Sequence, residues 1–359
     1  MLIGTFGCFA QTATDYTELY ELSGANGLSD KLSDNTRNVL REFRIDVENP
    51  ESMINLNGFE LIKKLIASAL DNVKSPLFAL STISAVSVVY AVLFGTAPKP
   101  IDGKYDIRSY ILPSICAVTV ALSLTDIITD TANAVSSCNV FMTSFIPVYA
   151  GILISGGHTA TGGGYSSLMF AVSQIFCTVA DNLLIPLCYS ALISSVGTAF
   201  SDICERICGI IKKASITLLT FGMTVFTFIL GLQTSISSVS DSIGIKTAKA
   251  AIGTFIPIVG SSLSDSLSAI LGSMALLKST VGVYSMICLV IMIVPVLTDI
   301  LLWKAALGLL GVVTQTTGAT GASKLLSAIS GLLTVLMCIL LCCAAAYIIS
   351  VALTLSVGG

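Results

Sequence analysis

Histidine occurs once in the 359 residues, as His158, which excludes any site that needs two imidazoles. Charge is scarce too: Asp, Glu, Lys and Arg make up 11 % of the chain, against roughly 25 % in soluble domains. The net charge of −3 leaves no basic excess, so there is no electrostatic reason to expect a nucleic-acid partner. The eleven cysteines form no CxxC pair. Only Cys204/Cys208 and Cys338/Cys342 have the four-residue spacing of one helical face. Buried cysteine behaves as a small hydrophobe, so packing is the expected role rather than a metal site or a disulfide. No Gly-Lys-Ser/Thr follows the glycine triplet Gly162–Gly164, and the chain has no serine nucleophile elbow and no zinc pattern. Neither catalysis nor a cofactor is expected. His158, between Gly157 and Thr159, reads as a loop residue rather than a general base.

What the chain has instead is apolar length. Tyr110 to Gly359 carries eight basic and eight acidic residues, whereas Gln11 to Ser75 alone carries seven and eleven. Pro76–Gly95 has no charged residue, and Val281–Trp303 has only Asp299. About 20 apolar residues at ~1.5 Å rise cross a hydrocarbon layer of ~30 Å. The expected fold class is therefore an all-α, polytopic helical membrane protein. Apolar runs at 77–95, 110–129, 139–155, 165–181, 183–200, 214–233, 251–277, 281–303 and 327–356 predict seven to nine spans.

Ahead of the spans, residues 1–10 read as the remainder of a signal peptide or a short anchor, without the usual basic start. Residues 11–58 form a polar head, expected outside the cytoplasm, in which Asn35–Arg44 predicts a short amphipathic helix with Val39, Leu40 and Phe43 on one side. Residues 59–75 follow as a sharply amphipathic helix. Phe59, Ile62, Ile66, Ala69, Leu70 and Val73 oppose Glu60, Lys63, Lys64, Asp71 and Lys74. Such a helix would lie in the membrane interface or pack on the head or a partner; the pattern does not choose. The polytopic domain is 76–359. Lys99, Lys104 and Arg108 in one connection, and Arg206, Lys212 and Lys213 in another, predict that 96–109 and 201–213 are both cytoplasmic. The connection 130–138 has no Lys or Arg and is predicted to lie outside.

A faint internal repeat runs through the domain. Phe145-Ile146-Pro147 recurs as Phe255-Ile256-Pro257, and Gly162 maps to Gly272 at the same displacement. Transporters are often built from such halves, with sites at interrupted helices. Pro147, with Gly151 and the glycine loop after it, and Pro257, with Gly260 after it, predict two proline-broken or re-entrant helices beside a cavity; ordinary kinks are the alternative. Asp126, Asp181, Asp265 and Asp299 are the carboxylates that fall in or beside spans. A charge at bilayer depth is costly and tends to face a cavity or a partner, so these four are candidates for a proton or solute path, or else mark membrane ends.

The order of these pieces resembles the stage III sporulation protein AE family of endospore-forming bacteria. The likeness is carried by Ile45-Asp46-Val47 in the head, the helix Phe59–Lys74, the first span and the block KTAKAAIGTFIPIVGSSLSDS from Lys246 to Ser266. Thr227–Gln233 before that block and Lys278–Gly282 after it also fit. The resemblance implies a membrane subunit of the complex that joins mother cell and forespore during engulfment, needed for late forespore development. It implies partners as well: other membrane subunits, a cytoplasmic ATPase and the lipid bilayer. Its place would be the mother-cell membrane surrounding the forespore, in a channel or permease-like role. An autonomous secondary transporter using the four carboxylates, or a non-conducting scaffold of the same complex, are the alternatives.

Overall fold

The computed structural model describes residues 18–46, 57–70, 73–94, 108–255 and 260–356; of these, 108–109, 233–255, 260–271, 353–354 and 356 are described by backbone alone. Among the described residues the chain is helical throughout, with no strand. The helices are α1 (Asp34–Glu42), α2 (Gly58–Leu70), α3 (Lys74–Phe94), α4 (Arg108–Ser155), α5 (Thr159–Val179), α6 (Ile185–Gly197), α7 (Asp202–Phe255), α8 (Gly260–Thr316) and α9 (Thr320–Ser356). A π-helical turn, Ala180–Leu184, joins α5 to α6 without a break.

Six helical stretches are long and apolar enough to cross a membrane. This is a membrane protein. The nine apolar runs become six because three pairs are fused. Runs 110–129 and 139–155 are one helix, α4; 165–181 and 183–200 share the continuous stretch Thr159–Gly197; and 281–303 continues the later part of 251–277 within α8. The expectation that 130–138 connects two spans is thus corrected: it is the middle of α4. Its polar residues do not break the helix, since Thr131, Ala134, Val135 and Cys138 continue one buried stripe from Leu124 to Phe145 at spacings of three and four. The 48 residues of α4 would run about 72 Å if straight, more than twice a hydrocarbon layer of ~30 Å.

Paired residues fix how the helices run. Asn139 meets Ser173, and Ala150 faces Gly162, so α4 and α5 form an antiparallel hairpin. Gly282 faces Leu355 and Lys304 meets Thr334, so α8 and α9 form another. Pro113 against Gly321 and Asn139 near Tyr347 share one sequence offset, so α4 and α9 are parallel. Cys138 against Met292 and Gly156 against Met274 place α4 antiparallel to α8 along its outer half.

Pro147 does not break α4, contrary to the broken-helix expectation. The missing N–H costs one hydrogen bond, but Phe145, Ile146 and Tyr149 around it are fully buried and hold the helix in place. The chain turns later, at Gly156–His158, where Gly157 takes φ +87° and the His158 N–H donates to the Leu153 carbonyl at 2.9 Å. The glycine triplet, expected as a loop, forms the first turn of α5. A Cβ on Gly162 would sit 2.7 Å from Ile154 Cγ1 and 2.9 Å from the Ala150 carbonyl, so glycine there lets the hairpin close.

The polar head is not detached. Leu28, Leu32 and Leu40 are buried in the same core as the long helices, and Gly24 lies beside Val148 of α4. Ser33 caps α1 by accepting from the Thr36 N–H, and Thr36 and Leu40 are its buried residues, with Val39 and Phe43 half-buried beside them. An ion pair joins Glu42 of α1 to Lys64 of α2, and the Lys64 ammonium also lies 5.5 Å from the Phe43 ring centre. The inward stripe of α2 is Leu61, Leu65 and Ala69, packed on α8, rather than the expected Phe59-to-Val73 stripe. Phe59, Ile62, Ile66 and Leu70 remain exposed, so α2 is apolar on two sides.

Candidate functional site

The sequence-derived candidates fall at separate places. Asp126 is exposed on α4. Asp181 is exposed on the π-helical turn, where its carboxylate accepts from Cys177 Sγ at 3.2 Å. Asp299 is half-buried in α8, one turn after Pro295, with one carboxylate oxygen shielded from solvent. Gly151 is exposed, and a Cβ there would meet nothing within 4 Å, so it marks no close approach. Gly260 and Asp265 lie in the first turns of α8, where only the backbone is described; Pro257 lies outside the described residues. The antiparallel register of α4 and α8 sets Asp299 level with Thr131, one residue from Asp130. Two of the chain's span carboxylates thus stand at one height, although they are 169 positions apart in sequence. Asp130 lines a cavity of about 250 Å³ that the head closes with Ser33, Asn35 and Thr36, opposite Pro295.

Two polar features escaped the sequence reading. In the middle of the bundle, Asn139 of α4, Ser173 of α5 and Tyr347 of α9 meet. The Ser173 hydroxyl donates to Asn139 Oδ1, the Tyr347 hydroxyl donates to the same oxygen at 3.4 Å, and the two hydroxyls are 3.2 Å apart. Ser173 and Tyr347 are almost fully buried. One acceptor shared by three helices fixes their relative height, which apolar contacts alone leave loose. Phe141, Phe145 and Tyr149 stack along α4 beside it, and the Tyr149 ring meets that of Tyr165 edge-on at 5.5 Å.

The second feature is a cavity of about 350 Å³ among α6, α7 and α9. Serines 195, 323 and 327, Glu205, Lys212 and Lys324 line it beside Cys188, Cys208 and Gly331. At its mouth Lys324 bridges Asp202 and Glu205, each at 2.9 Å. Two turns further along α7, Lys212, itself exposed, lies against Gly331. The residues that make this end of the molecule were the basic connection 201–213 and the Cys204/Cys208 spacing, which mark the inner face of α7. Gly197 explains the latter: a Cβ there would be 2.6 Å from Cys204 Sγ, so only glycine lets α6 and α7 approach. Nothing in sequence could have joined Lys324 to them, 119 positions beyond Glu205.

The cavity lies at the end of the bundle where α4 begins. Tyr110 stacks on Phe200 with ring centres 5.3 Å apart, and Gly321 fits against Pro113 and the Ala199 carbonyl. The start of α4, from Tyr110, and the basic stretch 201–213 therefore lie at the same end of the bundle. Among the described residues no group of three His, Cys, Asp or Glu side chains is placed to hold a metal ion.

Comparison with known proteins bears on the whole chain. The family model for stage III sporulation protein AE matches residues 42–358. A stage III sporulation protein AE of Bacillus subtilis (strain 168) is 24 % identical over 159 residues, which is 44 % of this chain and 40 % of that relative. The aligned stretch thus spans well under half of that curated relative. No solved structure matches.

Proposed function

The chain belongs to the stage III sporulation protein AE family and acts in sporulation, and from that premise we propose that it is a permease-like subunit of the membrane complex joining mother cell and forespore. In this reading it crosses the mother-cell membrane around the forespore several times. The head faces the intermembrane space, and the basic end of the bundle meets the mother-cell cytoplasm and an ATPase. The observation that supports conduction is the 350 Å³ cavity, lined by ion-paired and hydroxyl side chains at the end of an otherwise apolar bundle. Charged groups within apolar helices are costly and are retained where they face water or a solute. The carboxylates Asp126 and Asp181, exposed on separate elements, give less support to an autonomous transporter built on them.

A non-conducting scaffold is favoured by one observation. The Phe141–Phe145–Tyr149–Tyr165 stack fills the core of the bundle beyond the basic-end cavity, along the half of α4 that the head covers. Deleting the gene should block sporulation after engulfment and leave vegetative growth normal; a deletion strain that sporulates at wild-type frequency overturns the assignment to the complex. Complementation with Ser327→Trp, which fills the cavity from α9, separates the two readings. Loss of sporulation at matched protein level and intact complex assembly supports conduction, whereas full rescue supports the scaffold.

A further inference from the structure

We propose that the cavity between α6, α7 and α9 binds a phosphate group, held by the Lys212 ammonium and the Ser327 hydroxyl. The cavity's two cations differ. Lys324 is neutralised by Asp202 and Glu205 at its mouth. Lys212 has no carboxylate within ion-pair distance among the described residues, yet it lines the same space. Its stem follows the groove that Gly331 leaves open: a Cβ there would lie 3.5 Å from Lys212 Cδ and 3.8 Å from its Nζ.

The hydroxyls divide in the same way. Ser195 donates to the Ala191 carbonyl at 2.6 Å, so its hydrogen is used. Ser323 and Ser327 stand on the α9 face that carries Gly331, at four-residue spacing, and neither hydroxyl bonds to another described residue. Lys212 and Ser327 therefore stand near one another with no described partner, Ser327 one turn before Gly331 on α9, while the one carboxylate in the cavity, Glu205, is already engaged by Lys324. Lys212 is exposed and, with no carboxylate beside it, is left to water or to an anion that reaches the cavity. An oxyanion with several acceptor oxygens engages Lys212 and Ser327 together, through the charge-assisted hydrogen bonds that are the stronger kind. The volume, about 350 Å³, suits a small ligand. This site does not depend on whether the chain conducts.

The phosphate could belong to a free solute or to a phospholipid headgroup, and one experiment with two arms separates them. In the first arm, the full chain in phosphatidylcholine nanodiscs is titrated with inorganic phosphate by calorimetry. Saturable binding is expected, weakened about tenfold or more by Lys212→Met and in the same direction by the milder Ser327→Ala. Lys213→Met should leave it unchanged, because Lys213 lies in the outward groove with Ile210, Leu218 and Phe221. In the second arm, nanodiscs of phosphatidylcholine with phosphatidylglycerol, in buffer free of inorganic phosphate, are analysed by native mass spectrometry. A phosphatidylglycerol retained by the wild type and lost in Lys212→Met, without binding in the first arm, assigns the headgroup as the source. Equal behaviour of Lys212→Met and Lys213→Met in both arms, or no binding by the wild type in either, overturns the proposal.

Discussion

Asn139 Oδ1 on α4 and the Tyr347 hydroxyl on α9 lie 3.4 Å apart, with Ser173 of α5 bonded to both, so one amide ties together three helices drawn from distant parts of the chain. Removing one partner leaves the others short of a bond in a dry interior. Tyr347→Phe is therefore expected to lower stability by about 0.6–1.5 kcal/mol, the range for interhelical bonds in lipid and buried bonds generally. Thermal unfolding in detergent measures it. The double variant with Asn139→Leu should lose less than the sum of the two single variants; strict additivity would show that the three groups do not act as a unit.

Gly162 and Gly151 give a sharper contrast, because both precede or follow the same turn. A side chain at 162 would collide with Ile154 and the Ala150 carbonyl, whereas one at 151 meets nothing. Gly162→Leu should reduce the amount of folded protein in membranes several-fold, while Gly151→Leu leaves it near wild type, since overpacking a close helix contact costs roughly 1–3 kcal/mol or more. Fluorescence-detected size exclusion of solubilised membranes reads both. Equal yields would mean that the α4–α5 hairpin can open without cost.

The stacked pair Tyr110 and Phe200 puts the start of α4 beside the α6–α7 turn. In a cysteine-free background, cysteines at these two positions should be joined by a short bifunctional thiol reagent. A control pair at Tyr110 and Leu22 should not be joined, because Leu22 is exposed on the head, which packs along the far half of α4. Linking of the control pair, or failure of the first, would overturn the arrangement of the helix ends.

Orientation can be tested through the same exposed head position. Cysteine at Leu22 should react with a membrane-impermeant thiol reagent from outside the mother-cell membrane, and Gly103→Cys only after permeabilisation. Leu22 suits the experiment better than Ser33, whose hydroxyl caps α1 and faces the cavity beside Asp130. The basis is the charge of the 96–109 connection, where Lys99, Lys104 and Arg108 favour the cytoplasm. The reverse labelling pattern would invert the assigned topology and leave the helix bundle untouched.

Much of this architecture was legible in the order of residues alone. Apolar runs long enough to cross a bilayer, with few charges between Tyr110 and Gly359, admit hardly any solution but membrane helices, because lipid offers backbone groups no partner outside a helix or a closed barrel. The family likeness, too, was carried by linear blocks such as Lys246–Ser266. What composition could not decide was continuity. Asp130, Asn133 and Ser137 looked like a loop because they are polar; in the fold they line the cavity beneath the head, on a helix whose apolar stripe, Ile127 to Phe141, never lapses. Pro147 looked like a break because proline lacks a donor, yet buried aromatic rings on either side outweigh one missing bond.

The sequence by itself determined the class of the protein and its family, since hydropathy acts locally along the chain. Only tertiary structure decided which polar groups meet. Asn139 with Tyr347, Lys324 with Asp202 and Glu205, and Lys212 with Gly331 are separated by 119 residues or more. Their encounter depends on the register between helices, which is set where glycines such as Gly162 and Gly197 permit close approach and where side chains of unequal size interlock. That register leaves no mark in any single segment, because each helix is compatible with many neighbours until all of them are packed together.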